Sequence, residues 1–189
     1  MSRPNPFDIE ITPELIVRAY RAGIFPMSED AADENLFWVS PELRGMRKAI
    51  RKSGFVVKVD TDFAATIEAC ATVGADRDTT WINQTIRSVY GELFERGIAH
   101  TVEVWDGADL VGGLYGLAIG GAFFGESMFH RRTNASKMAL AHLVERLKAG
   151  GFVLLDTQFL TDHLESLGGI EIPREDYEER LAAAPPLQG

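Results

Sequence analysis

The run Phe123-Phe124-Gly125-Glu126-Ser127-Met128-Phe129 carries one carboxylate inside a stretch that otherwise reads as buried strand. A few residues on, Arg131, Arg132 and Lys137 surround a helix start near Asn134. A helix N-terminus with basic neighbours is a natural seat for a phosphate. Further along, Asp156 and Gln158 stand two apart at the end of the short apolar run Phe152 to Asp156, and the period of a strand points both the same way. Two carboxylates and an amide beside a basic entrance suit a site that takes a cationic and an anionic group together. No Ser-His-Asp or Cys-His pattern accompanies them, so direct transfer is expected rather than a covalent intermediate. Spacing alone leaves a plainer reading open. In it Asp156 caps a turn, Glu126 pairs with an arginine, and Thr133 or Asn134 caps the helix beside solvated arginines.

The elements that must hold these groups are legible from caps and periods. Thr12-Pro13-Glu14 supplies an N-cap, a proline at the first helical position and a first-turn acid, opening a helix that stops at Gly23. Phe37 to Pro41 is a short apolar segment ended by proline. Residues 42 to 53 hold a basic cluster, Arg44, Arg47, Lys48, Arg51 and Lys52, on a short helix. Phe55 to Asp60 reads as a strand and Thr61 as the cap of a helix through about Ala71. Asn83 to Arg96 is a helix with Ile86, Val89, Tyr90, Leu93 and Phe94 at helical spacing. Three strands follow, His100 to Trp105, Leu110 to Ile119 and Ala122 to Met128, joined by tight Gly-containing turns into an antiparallel meander. The helix from near Asn134 buries Leu140, Leu143, Val144 and Leu147 and ends at Gly150-Gly151.

Meander, helix, strand is the central order of the acetyltransferase-like (GNAT-type) fold, in which a cleft opens where neighbouring strands splay. The fold class expected is therefore α+β: a small N-terminal α/β domain with the basic segment at residues 1–54, and an acetyltransferase-like domain at 55–189. Coenzyme A binders of this fold use a glycine-rich Arg/Gln-x-x-Gly-x-Gly/Ala turn at the helix entrance. Arg131-Arg132-Thr133-Asn134-Ala135-Ser136 stands there instead, which weighs against an acyl-CoA-dependent N-acetyltransferase, the alternative reading.

Composition narrows the classes. The chain has 189 residues, 46% apolar and 25% charged, an ordinary globular balance. It has no apolar run long enough for a membrane span, and the start MSRPNPFDIEIT lacks the apolar centre of a signal peptide. Cys70 is the only cysteine, which excludes an intramolecular disulfide and suits a reducing, cytoplasmic setting. His100, His130, His142 and His163 show no metal-ligand spacing, so no metal is expected. A net charge of −9 argues against a protein coated in nucleic acid. The basic residues nevertheless concentrate between Arg44 and Lys52, and one such patch can hold a phosphate chain locally.

Several stretches recur in this order in one family: Tyr20-Arg21-Ala22-Gly23-Ile24-Phe25-Pro26, Trp38-Val39-Ser40-Pro41, Thr80-Trp81-Ile82, Gly125-Glu126-Ser127-Met128-Phe129, Ala135-Ser136-Lys137 and Asp156-Thr157-Gln158. From about Pro13 to Tyr177 the chain resembles the bacterial leucyl/phenylalanyl-tRNA–protein transferases. The resemblance implies a monomeric cytoplasmic aminoacyltransferase without cofactor. It implies movement of Leu or Phe, with Met as a further candidate, from aminoacyl-tRNA to the N-terminal amine of proteins beginning with Arg or Lys. The product would be marked for degradation by the N-end rule pathway. Carried over residue by residue, Asp156 and Gln158 match the proposed catalytic pair and Glu126 a glutamate of the same cleft. Asp156 is expected to align Gln158 and favour a cation rather than act as a strong base, since an ordinary carboxylate near 3.9 is mismatched to an α-amine. Leu114, Phe123, Leu140, Leu143, Leu147 and Leu155 match the apolar pocket for the donor side chain. Tyr20, Trp81 and Tyr90 match aromatics at the tRNA 3′ end, and Arg44, Arg47, Lys48, Arg51 and Lys52 the tRNA-facing cluster. Met27, Leu114 and Thr161 depart from the residues usual in the family.

Overall fold

A computed structural model of the chain describes residues 12–21, 36–39, 53–72, 80–158, 161–165, 167 and 169–184. In chain order the described elements are α1 (Pro13–Arg21), β1 (Leu36–Val39), β2 (Val56–Val59), α2 (Phe63–Ala71), α3 (Gln84–Glu95), β3 (Ala99–Asp106), β4 (Asp109–Ile119), β5 (Ala122–His130), α4 (Ala135–Ala149), β6 (Leu154–Asp156), α5 (Asp162–Glu165), β7 (Gly169–Ile172) and α6 (Arg174–Ala183). Strands β3, β4 and β5 are the expected antiparallel meander. β2 adds antiparallel beyond β3, and β6 adds parallel beyond β5, giving a five-stranded sheet in the order β2-β3-β4-β5-β6. A parallel neighbour needs a crossover, and α4 makes it. β1 pairs with β7 in a separate two-stranded sheet that lies alongside β6.

Both faces of the large sheet are covered, which is why β4 reads as one continuous apolar run instead of an alternating one. On one face Val102, Val104, Leu114, Phe123 and Leu155 pack against Met138, Leu140, Leu143, Val144 and Leu147 of α4. On the other, Tyr115, Leu117, Phe124 and Leu154 pack against Ile16, Phe63, Ile67, Ile86, Tyr90, Leu93 and Tyr177 from α1, α2, α3 and α6. Gly112 lets α4 begin directly on β4, because a Cβ there would meet the Ala135 side chain.

Caps set most of the helix starts. Thr12 Oγ1 accepts the Leu15 N–H at 3.2 Å, as expected, and Asn83, read as the first residue of its helix, is instead its cap, with Oδ1 accepting the Ile86 N–H at 2.9 Å. α2 departs from expectation: its cap is Asp62, whose Oδ1 accepts the Ala65 N–H at 2.9 Å. Thr61 is diverted because a fully buried carboxylate on β3, Glu103, takes its N–H and its hydroxyl, together with the Asp62 N–H and the Thr101 hydroxyl. β6 is shorter than the run Phe152 to Asp156. Phe152 and Val153 belong to the turn that closes α4, donating to Leu147 O at 3.0 Å and Gly121 O at 2.8 Å. Among the described residues no helix is long and apolar enough to cross a membrane. The basic segment from Arg44 to Lys52 lies outside the described residues.

Candidate active site

The acid among phenylalanines is explained by a register shift. Tyr115 faces Ser127 across the β4–β5 ladder and Gly116 faces Gly125, so Glu126 is the extra residue on β5. A bulge leaves its extra residue out of the ladder and re-aims its side chain. Two opposed glycines permit it. A Cβ on Gly116 would run into the Phe124 carbonyl oxygen and the Phe123 ring, and one on Gly125 would sit 3.3 Å from the Asp156 carbonyl oxygen. Glu126 is half-buried, and the Tyr90 hydroxyl of α3 donates to its Oε2 at 3.3 Å. Tyr90 is in turn held edge-on by Tyr115, with ring centroids 5.8 Å apart.

β5 and β6 pair only as far as Phe124 opposite Asp156; β5 then runs on to His130 paired with β4 alone. Asp156 therefore sits where the two strands part, and it is fully buried. Its Oδ1 accepts the Gln158 N–H at 2.8 Å and its Oδ2 accepts the Tyr177 hydroxyl at 2.9 Å. Here the expected shared strand face of Asp156 and Gln158 fails. β6 stops at Asp156, and Gln158 adopts a left-handed conformation with φ of 64°. The cause is local: the carboxylate bonds the backbone two residues on, closing an Asx-type turn that ends the strand. The plainer reading of Asp156 as a turn cap is thus part of the geometry.

Electrostatics correct a second expectation. Burial pushes the Asp156 carboxyl up from 3.8 to about 6, with the Gln158 and Tyr177 hydrogen bonds offsetting part of the rise. Burial, then the charge and hydrogen bond of Asp156, push the Tyr177 phenol above the ordinary tyrosine range, so it is a permanent donor. Asp156 is closer to an α-amine in proton affinity than an ordinary carboxylate. Both its oxygens are engaged and none of it is exposed, and one of them holds the Gln158 backbone N–H at the strand end. Glu126 is the carboxylate with access. Between Asp156 and Gln158 the buried Thr157 hydroxyl has no hydrogen-bond partner among the described residues, which leaves one donor at this point unspent.

The basic entrance is only partly free. Arg131 donates to the Leu110 carbonyl at 3.0 Å and lies 5.4 Å above the Phe129 ring, so it is occupied with the fold. Arg132 is exposed and Lys137 half-buried. Asn134 occupies the cap position with φ of 68°, and its side chain makes no cap hydrogen bond, unlike the ordinary cap that spacing allowed. Leu114, Phe123, Leu140, Leu143, Leu147 and Leu155 do come together in one cluster, on the α4 face of the sheet, none more than 8% exposed. Trp81 packs half-buried against the cluster that contains Tyr90, on the Glu126 face. Tyr20 lies on α1, its side chain outside the described residues. Among the described residues no three His, Cys, Asp or Glu side chains gather as metal ligands do. Tyr177 escaped the reading of the sequence. Its signal was available: it is the one aromatic residue of α6, set among the charged residues of the first two turns, and the structure buries it.

A mixed α/β domain with carboxylates gathered where two strands part is a frame for group transfer, and comparison with known proteins gives the class: this is a transferase. A family model described as leucyl/phenylalanyl-tRNA protein transferase matches residues 39–182, and one for the N-terminal domain of the same proteins matches residues 9–42. The chain is 51% identical over 192 aligned residues to a leucyl/phenylalanyl-tRNA–protein transferase of Afipia carboxidovorans, covering 95% of this chain and 85% of that one. The chain belongs to the leucyl/phenylalanyl-tRNA–protein transferase family.

Proposed function

We propose that the protein moves Leu or Phe, with Met as a lesser donor, from the 3′ end of aminoacyl-tRNA to the N-terminal amine of proteins that begin with Arg or Lys. The modified proteins would enter the N-end rule degradation route of the cytoplasm. The amine nitrogen attacks the ester carbonyl, a C–N bond forms, the C–O bond to the terminal ribose breaks, and a proton from the amine ends on the ribose oxygen. The ester is already activated, so neither ATP nor coenzyme A has a task in this step. Holding ester and amine in attack geometry supplies on the order of 7–11 kcal/mol at best.

The observation that carries this reading is the bulge that swings Glu126 out of the ladder beside the point where β5 and β6 part. It supports reading the domain as acetyltransferase-like, with the cleft at that parting. Glu126 meets the cationic acceptor, Asp156 aligns Gln158, and Gln158 orients the attacking amine. Leu114, Phe123, Leu140, Leu143, Leu147 and Leu155 receive the donor side chain. Trp81 and Tyr90, with Tyr20, shape the 3′ end. The N-terminal domain, residues 1–54, carries the tRNA-facing residues Arg44, Arg47, Lys48, Arg51 and Lys52. The test is to incubate the protein with radiolabelled Leu-tRNA or Phe-tRNA and a peptide that starts with Arg. Label in the peptide with either donor, and none with radiolabelled acetyl-coenzyme A, is the expected result. Label only from acetyl-coenzyme A would overturn the proposal.

A further inference from the structure

We infer that Tyr177, delivered by the C-terminal helix α6, is a positioning residue for the transfer step, its hydroxyl holding the Asp156 carboxylate aligned at the strand end. The inference rests on the proposed role of Asp156. Packing alone explains the Tyr177 ring, which is the single buried residue of α6 and lies in the core cluster with Phe124 and Tyr90. Packing does not explain the hydroxyl. A phenylalanine would fill the same space without the cost of burying a polar group. The hydroxyl is spent on one bond, 2.9 Å long, to Asp156 Oδ2.

The carboxylate is held by two donors of different kinds. The Gln158 N–H on Oδ1 comes from the turn that Asp156 itself closes, so it follows the carboxylate wherever that turn goes. Tyr177 reaches Oδ2 from a separate element, and it fixes the carboxylate against the core. Among the described residues no other donor to the Asp156 carboxylate replaces it. Its neighbour across the ladder on β5 is Phe124, and beyond that lies Glu126, an acceptor from the Tyr90 hydroxyl of α3 and no donor to Asp156. β1, which lies alongside β6, has the sequence Leu36-Phe37-Trp38-Val39 and carries no titratable side chain. Seating of α6 on the core, where Leu181 and Ala184 also pack, therefore completes the site. Loss of the hydroxyl leaves the buried charge with less support, so the carboxyl takes up a proton at higher pH than before.

The experiment uses the full chain with Leu-tRNA and an Arg-starting peptide, comparing wild type, Tyr177→Phe, Asp156→Asn and the double variant. Tyr177→Phe is expected to slow single-turnover transfer about tenfold near neutral pH and to move the acid limb of the pH–rate profile up by roughly one unit. In the Asp156→Asn background, removing the hydroxyl is expected to cost no further rate. An unmoved acid limb, or an equal rate loss in both backgrounds, overturns the inference. So does failure of Tyr177→Phe to fold, since that assigns the hydroxyl to the fold and not to the site. A carbon-13 titration of labelled aspartate separates this inference from the proposed activity. If wild type transfers nothing from aminoacyl-tRNA, the proposed function fails, whereas an Asp156 titration unchanged by Tyr177→Phe sinks the positioning role alone.

Discussion

Asp156→Asn should gain stability relative to wild type as pH rises from acid to neutral, while it impairs transfer. The wild-type carboxyl is raised from 3.8 to about 6 by burial. A raised carboxyl binds its proton more tightly in the folded chain than in the unfolded one. Its contribution to stability is thus fully present below 3.8 and is lost as pH rises through about 6. Over the whole range the shift of about two units corresponds to about 3 kcal/mol. Between about pH 4.5 and about pH 7.5 roughly 2 kcal/mol of it is lost. The asparagine keeps a single carbonyl acceptor, for either the Gln158 N–H or the Tyr177 hydroxyl, so one of the two bonds is reversed or lost, at a cost of up to about 1–3 kcal/mol. That cost is the same at every pH, so it cancels when the two pH values are compared. Urea unfolding of both proteins at the two values should show the variant gaining about 2 kcal/mol on wild type as pH rises. In thermal melts this is roughly 4–8 °C. A difference that stays flat with pH, or one that grows in favour of wild type, would refute the argument that burial dominates at this carboxyl.

Two further outcomes are expected. Leu114→Ala, in the cluster with Phe123 and Leu140, should raise Phe transfer relative to Leu in a competition assay by about tenfold, within the 1–3 kcal/mol a pocket of this kind discriminates, and should destabilise the fold by about 2–5 kcal/mol. An unaltered ratio would place the donor side chain elsewhere. Changing Arg47, Lys48, Arg51 and Lys52 together to Glu should weaken full-length tRNA binding and flatten its salt dependence by roughly one unit of slope per lost phosphate contact. A short aminoacylated 3′ fragment should remain a good donor, and equal loss with both donors would mean that the segment supports the fold.

The elements and the site differ in how far they could be read in advance. Turn glycines and capping residues act over two to four residues, so the meander and the Thr12 cap were legible. The leucine stripe of α4 was legible too, because helical spacing alone puts Leu140, Leu143 and Leu147 on one side. The aim of Glu126 was not, since the bulge depends on which residues face each other across β4 and β5, Gly116 with Gly125. Period-two reasoning at Asp156 and Gln158 assumed a strand that continues, and the side-chain bond from Asp156 to the Gln158 N–H ends it. Competition explains Thr61: the buried Glu103, distant in sequence, takes the groups that would have capped α2. Tyr177 acquires its meaning only when α6 is folded back against β6.

Glu126 is the half-buried carboxylate that the bulge turns out of the ladder next to the buried Asp156. The most direct test of its role is single-turnover peptide-bond formation between Leu-tRNA and an Arg-starting peptide, followed by mass spectrometry in wild type and Glu126→Gln under the same conditions. The expected result is peptide lengthened by one N-terminal Leu in wild type, formed at least about tenfold more slowly in the variant (about 1.4 kcal/mol of transition-state stabilisation), with tRNA affinity nearly unchanged. Equal rates in the two proteins would contradict the account and put the acceptor amine away from the place where β5 and β6 part.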